Sequence, residues 1–143
     1  MNFNIFWKEF TTLPEVEAIA LGGSRLKQIF DEKADNDLYF YCIEIPIENI
    51  LRRILENYCH YMELGDNCTL KEGIDFDIFY QSFEYFSQQI YSVVEEFNPS
   101  NGYTTCMGHN LLHCNILFDN NGKLEKRQNK YQISDQKSYV KIL

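Results

Sequence analysis

The chain has 143 residues, a length that suits one domain with a substantial core and is too short for two ordinary domains. Hydrophobic residues make up 45% of the sequence and aromatic residues 15%, which excludes an intrinsically disordered chain. The formal net charge of -8 disfavours sequence-independent binding to long nucleic acids, although it says little about a metal-bound nucleotide.

The cysteines and the apolar runs indicate where the protein resides. Five cysteines are present, an odd number with no C-x-x-C spacing, and this favours reduced thiols. The amino terminus lacks the features of a signal peptide, and no apolar run is long enough to cross a bilayer. We therefore expect a cytoplasmic protein with no membrane partner.

Apolar periodicity predicts the elements of the first half of the chain. Residues 2–11 have helical spacing, and residues 16–21 form a short apolar run that suits a buried strand. A short helix is predicted over residues 24–30, and residues 38–43 are rich in aromatic and branched side chains, as in a second buried strand. A helix is predicted to begin near Pro46.

The second half begins with residues 67–70 and 74–80, which are predicted to form a hairpin or two adjacent strands. A further helical face extends from Phe83 to Phe97, and its aromatic side chains are expected in the core. Beyond it, a strand is predicted over residues 116–118 and a turn over residues 119–122. A last short helix is predicted to follow, with Ser134 as its cap. Helices and strands mix without strict alternation, so we expect a single α+β domain over residues 1–143, with a mixed sheet flanked by helices.

A glycine turn precedes a pair of acids. A strand that ends in Gly22, Gly23 and Ser24 at a helix start exposes backbone N–H groups and a hydroxyl, which suits a phosphate. Asp35 and Asp37 are two residues apart at the start of a strand, so their carboxylates should share a face. Taken separately, an ordinary capped turn and a solvated strand edge explain these features.

Together, the features predict a cation site. Two unit charges about 4 Å apart repel by roughly 1 kcal/mol in water and by about 4 kcal/mol at an effective dielectric constant near 20. A bound cation offsets that repulsion, and hard oxygen ligands favour Mg²⁺ or Mn²⁺. Asp77 on a later strand is the candidate for a third ligand, and Asp75 is its competitor because both face the same way.

The order of these motifs resembles the polymerase-beta-like nucleotidyltransferase superfamily. The likeness begins with Gly22-Gly23-Ser24-Arg25, continues with Asp35-Asn36-Asp37, and ends with an acid on a later strand. Three later segments are also similar to small bacterial members of that superfamily, namely residues 102–106, 109–112 and 116–124. The resemblance therefore spans most of the chain. The resemblance implies a nucleotidyltransferase-like core.

The resemblance also implies roles for the nucleotide-binding residues. Ser24 would hold the phosphates of ATP or another nucleoside triphosphate, and Gly22 and Gly23 would shape the turn. Arg25 would contact a phosphate, although an ion pair with Asp31 explains this arginine equally well.

For the metal ions, the resemblance implies that Asp35 and Asp37 bind both and that Asp77 binds the catalytic one and helps to deprotonate the acceptor hydroxyl. We prefer Asp77 to Asp75 because an acid followed by Ile-Phe-Tyr matches the third strand of the superfamily better. The implied reaction is in-line attack on the α-phosphate with pyrophosphate leaving, and the acceptor is a small molecule or a protein side chain.

The sequence departs from the superfamily pattern at four positions, which are Leu26, Ala34, Asn36 and Gln81. Ala34 replaces a serine near the phosphate turn, and Gln81 replaces a common arginine. Relatives also tend to continue into a helical domain, whereas this chain ends at Leu143. The alternative hypothesis is therefore a truncated or inactive relative that serves as a nucleotide-binding or protein-interaction module.

Histidines and cysteines outside these motifs offer a weaker hypothesis. Cys106, His109, His113 and Cys114 include zinc-ligating residue types, but their spacing matches no common zinc module. A structural thiol and two ordinary imidazoles are the simpler interpretation. His60 is interpreted as a residue at a helix end.

Overall fold

The computed structural model describes residues 2–22, 36–63, 67–99 and 102–138. Five helices and six strands are formed by this part of the chain. In chain order they are α1 (Asn2–Phe10), β1 (Val16–Gly22), β2 (Asp37–Cys42), α2 (Glu48–Tyr58), β3 (Cys59–Glu63), β4 (Asn67–Leu70), β5 (Asp75–Ser82), α3 (Phe83–Val94), α4 (Gly102–His113), β6 (Asn115–Asp119) and α5 (Lys123–Ser138).

The strands form one mixed sheet in the order β3-β4-β5-β2-β1-β6. Strands β2 and β5 run parallel, and the other neighbouring strands pair antiparallel. Helices α1 and α2 pack on one face of the sheet, and α3, α4 and α5 pack on the other. The α+β class with a mixed sheet flanked by helices is therefore confirmed.

Strand β2 lies near the middle of the sheet and is buried on both faces. Leu38 and Phe40 pack with α1 and α2, whereas Tyr39 and Tyr41 pack with the helices of the opposite face. The ring centroids of Phe10 and Phe40 are 4.3 Å apart, which ties α1 to the centre of the sheet. Successive side chains of a strand point to opposite faces, so this near-continuous apolar run has a role on each side.

Most predicted elements are confirmed close to their expected bounds. The first helix, the two buried strands, the helix after Pro46 and the later strand at residues 116–118 are all present. The predicted hairpin is formed by β4 and β5, and Gly73 lies in its turn with a φ of 92°. The predicted helix over residues 24–30 lies outside the described residues.

Three predictions are wrong. His60 is in strand β3 and not at a helix end, because β3 follows α2 without an intervening turn. Helix α3 ends at Val94, and Phe97 lies beyond it with a φ of 57° and 64% of its surface exposed, so this ring is not in the core. Ser134 does not stand at the start of a short helix, since it lies inside the longer helix α5.

The helices of the described segments are too short or too polar to cross a membrane.

Candidate functional site

Two of the predicted acids lie side by side in the sheet. Asp37 of β2 is the register partner of Asp77 on the parallel strand β5. On their outer sides, Gly22 of β1 pairs with Asp37, and Asn67 of β4 pairs with Asp77. These four residues form a row across four strands, and we call them the acid row.

Both carboxylates of the acid row belong to one face of the sheet. Tyr39 and Phe79 follow Asp37 and Asp77 by two residues, and their rings stack with centroids 5.0 Å and planes 17° apart. Residues two apart on a strand share a face, so both acids lie on the side of these rings. Neighbouring strands are about 4.8 Å apart, which brings the two negative charges close enough to share a cation.

The surroundings of Asp37 and Asp77 are polar. Tyr39 donates a hydrogen bond from its hydroxyl to Oδ2 of Asp37 at 3.5 Å. The backbone N–H of Asp77 donates to the carbonyl of Asn36 at 2.9 Å. Asp77 is exposed and Asp37 is partly buried, so a ligand can approach from solvent.

Asp75 lies on the same strand and face as Asp77, but its carboxylate has a different environment. Oδ1 of Asp75 accepts a hydrogen bond from the hydroxyl of Thr69 at 2.6 Å, and Thr69 is its register partner on β4. The backbone carbonyl of Asp75 accepts from Nδ2 of Asn36 at 3.2 Å. The residue next to Asp37 is therefore Asp77, whereas Asp75 is held against the neighbouring hairpin strand.

Gly22 has a packing role at the end of β1. A Cβ atom at this position would lie 3.0 Å from Cε2 of Tyr39. Tyr39 is only 4% exposed and is the residue that donates to Asp37. The glycine therefore lets the ring lie against the strand end beside the acid row.

The remaining predicted site residues lie outside the described residues. They are Gly23, Ser24, Arg25 and Asp35, together with Asp31, the alternative partner of Arg25. Within the described ranges, no three His, Cys, Asp or Glu side chains are grouped closely enough to hold a metal ion. Asp35 is not among these residues, so only two acids of the predicted set lie within them.

Three polar residues of this region were not identified from the sequence as part of the site: Tyr39, Asn67 and the buried Asn36. The side-chain amide and backbone carbonyl of Asn36 both bond to β5, which holds the starts of β2 and β5 together. Strand pairing places Asn67 beside Asp77 in the acid row. No sequence motif marks such residues, because their positions depend on register.

The structure also bears on the zinc hypothesis. The Cys114 thiol is buried, and this burial raises its pKa to about 11. Its Sγ donates to the carbonyl of Leu111 at 3.6 Å. The thiol is therefore held in a hydrogen bond at the end of α4, as expected of a structural cysteine.

The carboxylates of Asp37 and Asp77 lie on one face of the sheet, next to the strand end at Gly22. In this arrangement their oxygens could together serve as ligands of a divalent cation. No protein-family model, no curated protein and no solved structure matches this chain.

Proposed function

We propose that this chain is a metal-dependent nucleotidyltransferase domain. It would transfer a nucleoside monophosphate from ATP or another nucleoside triphosphate to a hydroxyl group of a small molecule or a protein. The observation that carries the proposal is the register pairing of Asp37 with Asp77, next to the strand end at Gly22. The pairing joins residues that the superfamily resemblance selects from separate parts of the sequence.

The charges of the acid row fit Mg²⁺ or Mn²⁺. Two carboxylates on neighbouring strands and one face repel each other, and a divalent ion with hard oxygen ligands offsets that repulsion. When bound, such ions supply charge stabilisation for in-line displacement at a phosphorus atom. By the sequence resemblance, Asp35 would add a third carboxylate.

The chain's own residues would divide the remaining work. Asp77 would orient the acceptor hydroxyl and accept its proton, because its carboxylate is the more exposed of the pair. Tyr39 would fix the orientation of the Asp37 carboxylate through its hydrogen bond. Gly23, Ser24 and Arg25 are proposed to hold the phosphates, by the sequence resemblance alone.

Calorimetric titration with Mn²⁺, and then with ATP in the presence of Mg²⁺, tests the metal site. We expect Asp37→Asn and Asp77→Asn to weaken Mn²⁺ binding by about tenfold or more, because each removes one charged ligand. Asp35→Asn should do the same. Asp75→Asn is the matched control on the same strand and face, and we expect it to change affinity by less than about twofold, since its carboxylate is engaged by Thr69.

A second readout separates this role from a structural one. Mn²⁺ should raise the free energy of unfolding of the wild type more than that of Asp77→Asn, because an ion bound only by the folded protein stabilises it. Equal Mn²⁺ affinity in wild type and Asp77→Asn, or an equal loss in Asp75→Asn, would contradict the assignment.

Label transfer tests the reaction itself. Nucleotidyl transfer moves the α-phosphorus of ATP to the acceptor, so α-labelled but not γ-labelled ATP should label the product. Metal-dependent ATP binding without α-label transfer to a panel of hydroxyl acceptors would favour the alternative, an inactive nucleotide-binding module. Transfer of the γ-label would contradict the proposed chemistry.

A further inference from the structure

A cavity of about 750 Å³ opens at the other end of the sheet from the acid row. It lies between β1, the end of β2, helix α3 and the first turns of α5. Glu17, Ile43, Phe83, Tyr91, Glu96 and Arg127 are among its lining residues. Its volume is within the range of small-molecule sites, about 300–1,000 Å³.

This cavity is separate from the proposed metal site. Glu17 stands near the start of β1 and Ile43 just after the end of β2, whereas Gly22 and Asp37 lie at the opposite ends of those strands. At about 3.3 Å per residue, the length of β2 places the two sites roughly 17 Å apart. A ligand of the acid row therefore does not account for the cavity.

The buried acid of the cavity is already neutralised. Glu17 is 2% exposed, and its Oε1 accepts a hydrogen bond from Nδ2 of Asn121 at 2.8 Å. The ammonium group of Lys123 lies 3.6 Å from the same oxygen. Lys123 and Glu17 therefore compensate each other's charge. The other charged residues of the wall are the cation Arg127 and the acids Glu84 and Glu96.

Charges of both signs remain available to a ligand. Over the described segments, neither Arg127 nor Glu96 forms a side-chain ion pair, although Lys130 pairs with Glu95 nearby. The hydroxyl oxygen of Ser87, which also lines the cavity, is buried and has no hydrogen-bond partner among these residues. Acids outnumber cations in the wall, which disfavours a phosphate or another multiply charged anion.

The same cavity presents apolar surface. Ile43 is 67% exposed and Tyr91 is 43% exposed, and the ring of Phe83 forms part of the wall beside them. Large side chains of this kind are costly to leave in water, and burial under a ligand recovers part of that cost.

The geometry points to a second binding site, for a small zwitterion with an apolar body: an α-amino acid with an aliphatic or aromatic side chain. The guanidinium of Arg127 binds the carboxylate, and Glu96 attracts the ammonium group. The apolar side chain of the ligand covers Ile43 and Tyr91. The charged groups of the ligand thus pair with Arg127 and Glu96, and its apolar side chain packs against Ile43 and Tyr91.

Calorimetry or ligand-observed NMR with leucine, phenylalanine and tryptophan tests this site. We expect at least one of them to bind with a Kd of about 1 mM or tighter. Arg127→Gln should weaken that binding by about tenfold, because it removes a charge-assisted contact, whereas Lys126→Gln on the same helix should not. Phenethylamine, which lacks the carboxylate, should bind both variants and wild type alike.

A second pair of variants tests the apolar wall. Tyr91→Ala should weaken amino-acid binding severalfold, and Tyr85→Ala is the control, because Tyr85 is exposed on the same helix but does not line the cavity. Asp77→Asn should bind the amino acid as the wild type does, so this result is independent of the metal site. Absence of binding by all three amino acids, or equal binding by wild type and Arg127→Gln, would overturn the inference.

Discussion

Tyr39 has two contacts at the acid row, because its ring is packed in the core and its hydroxyl bonds to Asp37. Its ring is buried between the Phe79 ring and the end of β1, and its oxygen donates to Asp37. Gly22 allows this arrangement because it has no side chain to displace the ring. A residue that the sequence resemblance assigns to the phosphate turn therefore also makes room for the ring that hydrogen-bonds to the acid row.

Replacing Gly22 with alanine tests that connection. The added Cβ would meet the Tyr39 ring at 3.0 Å, so we expect the free energy of unfolding to fall by about 1–3 kcal/mol, as in other overpacked cores. Urea denaturation measures the change. In a Tyr39→Leu background the same substitution should cost less, and a double-mutant cycle gives the coupling. Additive effects of the two substitutions would show that the ring is not the cause.

At the residue scale, the sequence identified candidate acids but did not rank them by geometry. Asp75 and Asp77 are two residues apart, so alternation places both on one face and leaves the choice to other evidence. Pairing with β2 decides which of them stands beside Asp37, and pairing of distant strands is not encoded in a local motif. Asn67 could not be found in advance for the same reason.

At the element scale, helix α5 begins with a defined cap. Both carboxylate oxygens of Asp119 accept backbone hydrogen bonds, from Leu124 at 3.3 Å and from Glu125 at 2.8 Å. A carboxylate at a helix amino terminus also meets the positive end of the helix dipole. This cap fixes the first turn of α5, which carries Lys123 into the cavity wall.

Asp119→Ala should therefore destabilise the protein by about 1 kcal/mol, within the range of lost helix caps. Asp119→Asn keeps one of the two accepting oxygens and should retain most of the stability. The difference between wild type and Asp119→Asn then measures the charge, and the difference between the two variants measures the capping hydrogen bond. Thermal or urea unfolding provides both values. A loss in Asp119→Asn as large as in Asp119→Ala would assign the effect to charge and not to capping.

Strand β3 and helix α4 were not predicted, because the local sequence gives only a weak signal for each. Strand β3 follows α2 directly, so no turn residue marks the change at Cys59. Helix α4 starts at a glycine and contains adjacent threonines and a second glycine, Gly108, all of which have low helix propensity. By contrast, α1 has clear apolar periodicity and β2 is a near-continuous apolar run, and both were predicted because these patterns reflect the faces that the elements bury.

For the molecule as a whole, buried thiols link stability to pH. Burial, aided by the charge of Glu15, raises the pKa of Cys42 to about 12, and burial raises that of Cys114 to about 11. In the unfolded chain a cysteine thiol has a pKa of about 8.5. Above that pH the unfolded chain loses protons that the folded chain keeps, so stability is complete below it and is lost as pH rises towards the folded pKa values.

We accordingly expect the free energy of unfolding to decline from about pH 8.5 upwards, by about 1.4 kcal/mol per pH unit for each thiol that ionises only in the unfolded state. Urea denaturation between pH 7 and pH 10 measures this slope. Cys42→Ala should be less stable at pH 7, because it leaves a cavity, but should show a shallower alkaline decline. Parallel pH profiles for wild type and Cys42→Ala would contradict the proposed origin.

The parallel pairing of β2 with β5 has one more consequence. Between these strands the chain leaves the sheet through α2 and returns by way of β3 and β4, so the two carboxylates of the acid row become neighbours only after that excursion closes. The divalent ion that we propose between the two aspartates would thus bind the folded state alone, and mass action would make it a stabiliser. The melting temperature would then report how fully the site is occupied before any acceptor has been found.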